Sequence, residues 1–238
     1  MTAIELLYNF HVELNTIYEL PALESDEALY WINKAQDRYI TIKYNGYSTP
    51  TKIAFEQTQK RLDDLQTLVI PNYYIGAVNN KLTLPYNYRH LLRFKVYHTG
   101  KCTSSYNPEA ITIQGKTYLP VYPKQAQHDD INALVQDPFN NPTLEYPIYT
   151  ISSNFIYVYM PENTTAVLVG GAIDYLSNPT QLSITPNVKQ FSDNIYSDVA
   201  QLPDYCYNEI IDIAIKLYLK SIGDSRYNAA ANETILAE

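Results

Sequence analysis

A chain whose two ends read as helix and whose middle reads as strand predicts an α+β fold. Three observations carry that expectation. Apolar residues recur at helical spacing over the first 70 positions. From 71 to 199 short β-rich runs alternate with Pro, Asn and Gly. Helical spacing then returns after Pro203. The expected architecture is a helical bundle built from the N-terminal helices (1–70) and a C-terminal helix (200–223). It carries a large inserted antiparallel β-sandwich or barrel (71–199), and an arm (224–238) follows. No Gly/Ser linker divides the helical and β parts, so one chain weaves both.

Thr2 and Glu5 match a capping box, and Ile4, Leu7, Tyr8, His11 and Leu14 follow at helical spacing, which predicts a first helix closed by Pro21. Ser25, Asp26 and Glu27 make an acidic start to a second helix. Its Leu29, Ile32, Ala35, Tyr39 and Ile42 share one side, and Asn45 and Gly46 end it. A third helix is expected from Lys52 to about Val69, with Ile53, Leu62, Leu65 and Leu68 inward and Pro71 as its stop.

Strands are expected at 73–78, 81–85, 90–98, 110–113, 116–122, 147–152, 154–160 and 165–176. "VNNK", "IQGK" and "SSN" read as hairpin turns. Between the strands, 123–147 is a polar, proline-spaced loop with one helical turn, long enough to imply a task. Gly170 and Gly171 interrupt the last strand and predict a bulge or bend. "VLVGGAI" reads as core, and "DYLSNP" as the place where the chain turns back toward the helices.

The C-terminal helix has Pro203 near its first turn, acids early, Lys216 and Lys220 late, and Gly223 as its cap. Cys206, Ile210, Ala214 and Leu217 form its apolar face, widened by Ile211, Ile215, Tyr218 and Ile222. The residues after Gly223 are too few and too polar to fold alone.

With 238 residues, 46% of them hydrophobic, the chain can bury a sizeable core. The N-terminus carries acids where a signal peptide carries Lys or Arg, and no apolar run reaches 18 residues, so a cytoplasmic product without membrane contact is expected. Cys102 and Cys206 form no CxxC pair and read as buried thiols. The 24 Tyr against 6 Phe suit surfaces that are wet before assembly and buried after it; an AT-rich coding sequence gives the same bias. The net charge of −8 is uneven: residues 81–128 hold 7 basic groups and 1 acid, while both ends are acidic. Such polarity suits charge-complementary stacking of subunits.

Catalysis needs converging groups, and few are visible. His11, His90, His98 and His128 are scattered, and none belongs to HExxH. "HDD" at 128–130 has a metal-ligand flavour, but adjacent loop residues need further ligands to chelate an ion, so a solvated loop is expected and no metal or cofactor. There is no phosphate-binding glycine loop and no GxSxG elbow. "YRHLLRFKVYHTGK" alternates aromatics and bases as a nucleic-acid platform does, within an acidic chain. The chain is therefore expected not to be an enzyme. A rival reading is a non-catalytic β-sandwich binding or adhesion module with a Tyr-lined ligand surface.

The order of parts resembles the head-to-tail connector, or adaptor, proteins of tailed bacteriophages, and is most similar to the ring proteins of crAss-like phages. The late strand ending Tyr175 to Pro179 and the proline-started helix from Pro203 to Ile222 carry the likeness. The resemblance implies a structural virion protein at the head–tail junction, assembled in the host cytoplasm as a ring, commonly dodecameric, beneath the portal protein. Its helices would surround a channel through which double-stranded DNA passes without specific binding. Asp204, Glu209 and Asp212 would line that channel. The arm residues Arg226, Tyr227, Asn228, Thr234, Ile235 and Leu236 would grip the portal or a neighbouring subunit. The larger β region, with its 123–147 loop, would meet further tail or ring proteins.

Overall fold

The computed structural model describes residues 1–17, 23–45, 63–101, 108–137, 139–161, 164–184 and 196–222. The protein is mixed α+β with a large, curled, mainly antiparallel sheet. Among the described residues the helices are α1 (Ala3–Ile17), α2 (Ser25–Asn45), α3 (Ile131–Gln136) and α4 (Cys206–Ser221). The chain divides into two compact units, Met1–Leu68 with Pro179–Glu238, and Val69–Asn178.

In the helical unit, α1, α2 and α4 pack against one another. The capping box at α1 is reciprocal: the Thr2 amide donates to Glu5 Oε2 at 2.8 Å, and the Glu5 amide donates to Thr2 Oγ1 at 3.3 Å. The apolar face of α1 differs from the expected one. Ala3, Leu6, Leu7, Phe10 and Leu14 are buried, whereas Ile4 and Tyr8 point to solvent at 66% and 70% exposure. Apolar residues ring most of this helix, so periodicity alone fits two faces, and packing selects the one that buries Leu6 and Phe10.

On α2, Leu29, Ile32, Ala35 and Tyr39 are buried as expected, and Ile40 replaces Ile42 inside. On α4, Cys206, Ile210 and Ala214 are buried, with Leu219 in the place expected for Leu217, and Ile222 is exposed. Of the expected third helix, 63–68 is described: a helical turn passing into a 3₁₀ turn at Gln66–Leu68, with Leu65 and Leu68 buried. Its remainder and the caps Pro21, Gly46 and Gly223 lie outside the described residues. Residues from Pro179 onward cluster with the helices. There the parallel pair β10 (Gln181–Leu182) and β11 (Tyr196–Ser197) is held by Asn33 on α2. Its side-chain amide both donates to and accepts from the Leu182 backbone, at 3.0 and 2.8 Å, as a neighbouring strand would.

The second unit is built on a seven-stranded sheet in the order β3-β9-β1-β2-β8-β7-β6. Its strands are β1 (Val69–Val78), β2 (Lys81–Thr83), β3 (Tyr88–His98), β6 (Lys124–Gln125), β7 (Ile148–Ser152), β8 (Phe155–Tyr159) and β9 (Leu168–Ser177). Within this sheet β6 and β7 pair in parallel, and the other described neighbours pair antiparallel. A separate hairpin, β4 (Ile111–Ile113) with β5 (Lys116–Tyr118), packs Ile111, Ile113 and Tyr118 against Tyr97 and Ala172 of β3 and β9. The larger cluster, including Leu82, Phe94, Val96, Ile156 and Ile173, is the main core of this unit.

All three expected turns form, each with a residue of positive φ: Asn79 and Asn80, Gln114 and Gly115, and Ser153. Asn tolerates the left-handed region better than most residues, which suits a two-residue hairpin. β1 starts before Pro71, at Val69, and its register shifts between Ile70 and Tyr73. The missing proline N–H is accommodated at that irregularity, beside Asn72 at φ 50°.

The expected bend at Gly170 and Gly171 takes a different form. Both pair with β1 and with β3, and the register shift on the β3 side falls just before them, between Gly170 and Leu168. A Cβ at Gly171 would lie 2.8 Å from Phe94 Cε2 and 2.9 Å from the Lys95 carbonyl oxygen. These glycines admit the flanking strands to close approach. β9 ends at Ser177, and the boundary between the two units falls at Asn178 and Pro179, within the "DYLSNP" turn.

Candidate functional site

A connected polar group among the described residues of the β unit is anchored on β3 and β9. Alternation puts Arg93 and Lys95 on one face of β3, opposite Asp174 and Ala172. Arg93 Nε donates to Asp174 Oδ2 at 2.7 Å, and its Nη1 reaches Glu109 Oε1 at 3.3 Å. Lys95, only 2% exposed, donates from Nζ to Asn72 Oδ1 at 2.9 Å and to Glu109 Oε1 at 3.1 Å. The Asn72 amide donates to Asp174 Oδ1 at 2.7 Å, which closes the ring of contacts. The Tyr122 hydroxyl donates to Glu109 Oε2, and the Tyr97 hydroxyl to the Glu109 carbonyl at 3.0 Å.

The electrostatics of this group oppose proton transfer. Tyr122 and then Lys95 hold the Glu109 carboxyl below its ordinary value, while the Glu109 bond raises the Tyr122 phenol. Arg93 is raised by its bond to Asp174. Each shift moves its group away from neutral pH, so the ring fixes charge and fastens the 109 segment and the Asn72 irregularity to the sheet. It also engages two cations of the basic stretch, Arg93 and Lys95. As a whole, 69–178 carries 7 basic and 7 acidic residues and is neutral, and the helical unit carries 18 acids against 10 bases.

A second polar group lies inside the helical unit. The Tyr39 hydroxyl donates to Asp64 Oδ2 at 3.0 Å, and Lys43 bridges Asp64 at 3.2 Å and Glu209 at 2.8 Å. Burial pulls the Lys43 ammonium down, but Glu209 and Asp64 outweigh it and hold it raised. Burial raises both the Tyr39 phenol and the Cys206 thiol, which keeps this buried cysteine protonated and unreactive.

Of the three acids expected to line a channel, Asp204 accepts from the Met1 amino group at 2.5 Å, Glu209 is paired with Lys43, and Asp212 is exposed beside Glu13. Arg226, Tyr227, Asn228, Thr234, Ile235 and Leu236, like Cys102, lie outside the described residues. The histidines stay apart. His98 is buried, with Nε2 2.9 Å from the Leu144 carbonyl and Nδ1 accepting the Gly100 amide at 3.1 Å. His128 meets the Ile151 carbonyl at 2.8 Å, and Asp129 and Asp130 of the same loop are exposed.

Among the described residues, no group of three or more His, Cys, Asp or Glu is placed to hold a metal ion, and no helix is long and apolar enough to cross a membrane. Sequence reading missed the Arg93, Lys95, Glu109 and Asp174 ring. The alternation of Arg93 and Lys95 was a visible signal, but their acids come from 14 or more positions away. No protein-family model matches the chain, and no curated protein matches it in sequence.

Proposed function

We propose that the protein is a structural, ring-forming connector of a tailed-phage virion, joining the portal vertex to the tail around a DNA channel. In this reading the helices from both chain ends form the bundle of each subunit, and the inserted β body faces outward or toward the tail. The observation that carries it is the outer face of α1, where Ile4, Tyr8 and Val12 stand 66%, 70% and 45% exposed at successive helical turns. A helix that is apolar on its outer side as well as its inner one is suited to cover by another protein. The charge distribution supports the same reading. The helical unit holds the whole net charge of −8, and a wall of that sign offers passing DNA no phosphate-binding contribution.

The test is native mass spectrometry and electron-microscope class averages of the purified protein, with and without the portal protein of the same genome. A ring of fixed stoichiometry that stacks on the portal is the expected result. A monomer indifferent to the portal refutes the proposal. The second reading, a Tyr-lined binding module, is favoured by Tyr86 and Tyr73, 78% and 44% exposed beside the Tyr88 and Tyr175 rings. Saturable glycan binding by the monomer would select it.

A further inference from the structure

The helix that bears the ridge, α1, carries two acids, Glu5 and Glu13, and neither Lys nor Arg. An apolar ridge on an acidic helix, in a unit of net charge −8, fits a surface that is itself apolar and carries a cation. It repels a nucleic acid or an anionic bilayer. It also repels a second helical unit, since each brings a net charge of −8.

The β unit presents such a surface. Cross-strand register sets Val78 opposite Lys81, Lys81 opposite Tyr157, and Thr83 opposite Phe155, so these side chains share one face around β2 and β8. Val78 and Phe155 are 71% and 37% exposed, and Lys81 Nζ stands 5.1 Å from the Tyr157 ring centre. The strands β1, β2 and β8 contain no acidic residue. The opposite side chains, Leu82, Ile156 and Val158, fill the core, so this face is held on a rigid base.

We infer that the Ile4, Tyr8 and Val12 ridge of one copy docks on the Val78, Lys81 and Phe155 face of a second copy, head to tail. The inference rests on the ring-forming reading and names the contact that would build the ring. Two different faces meet, so every copy keeps one of each for the next neighbour, and the contact propagates until it closes.

The experiment compares the full-length wild type with two double variants by sedimentation velocity and native mass spectrometry over a concentration series. One variant is Ile4→Lys with Tyr8→Lys, the other Val78→Ser with Phe155→Ser. Each alone is expected to raise the concentration needed for assembly at least about tenfold. Their equimolar mixture is expected to give a 1:1 dimer and nothing larger, because one intact pair of faces remains; that dimer also shows both variants to be folded. If the wild type assembles and the variants assemble alike, or if their mixture gives no dimer, the docking is overturned while the ring reading stands. If the wild type remains monomeric throughout, with and without portal protein, both fall.

Discussion

Arg93 and Asp174 face each other across the β3 and β9 pair and share a 2.7 Å bond, with the Asp174 carboxylate also taking the Asn72 amide. One carboxylate thus ties three strands together. Asp174→Ala is expected to lower the unfolding free energy by about 1 to 2 kcal/mol, since it removes two hydrogen bonds to one charged group while Arg93 keeps Glu109. Arg93→Ala should cost less, about 0.5 to 1 kcal/mol, because Arg93 is 44% exposed and solvent screens its share. Urea titrations of the two variants measure both values, and an equal loss would refute the ranking.

Gly171 and Gly76 lie on the paired strands β9 and β1, with Gly76 opposite Gly170, and should respond differently to alanine. A Cβ at Gly171 meets the Phe94 ring and the Lys95 carbonyl within 3 Å, whereas a Cβ at Gly76 meets nothing within 4 Å. Gly171→Ala should cost about 3 kcal/mol or prevent folding, and Gly76→Ala should fall within about 0.5 kcal/mol of wild type. Thermal unfolding followed by circular dichroism separates the two.

His98 gives the β unit a dependence on pH. Burial holds its imidazole below the ordinary 6.5, outweighing the Leu144 carbonyl, and Lys101 adds to the lowering. The Gly100 amide fills Nδ1, so the neutral ring carries its proton on Nε2. The folded-state pKa lies below the unfolded one, so between the two values the unfolded chain binds more protons. Stability therefore rises with pH across that window and is lost as pH falls below 6.5. The urea midpoint of the wild type should drop on acidification through this range. His98→Gln should show a smaller drop, with His90, also held low by burial and Arg89, keeping the remainder. An unchanged pH profile in the variant would remove His98 from this role.

The Asn79 and Asn80 turn joins β1 to β2 with φ of 51° and 58°. Asn80→Gly should be neutral or slightly stabilising, and Asn80→Val should cost about 1 to 2 kcal/mol, because a β-branched residue is strained there. Amide exchange at Leu82 reports the hairpin directly, and equal protection in both variants would sink the argument.

The sequence by itself determined those features whose causes are local. The capping box of Thr2 and Glu5, the acidic start of α2 at Ser25, the three hairpin turns and the strand β8 each depend on residues a few positions apart, and each is present where expected. Tertiary structure decided what depends on distant partners. On α1, Leu6 and Phe10 won the interior over Ile4 and Tyr8 because α2 and α4 offered a surface to only one side of a helix that is apolar on both. Gly171 was forced by Phe94 and Lys95 arriving from another strand, and Pro71, past the helical turn that ends at Leu68, was accommodated at a register shift inside β1. The clamp of Arg93, Lys95, Glu109 and Asp174 exists only after β9 has returned between β1 and β3, since Asp174 lies 81 positions from Arg93. Periodicity and turn chemistry act over one or two turns of chain, whereas burial and charge pairing act through space.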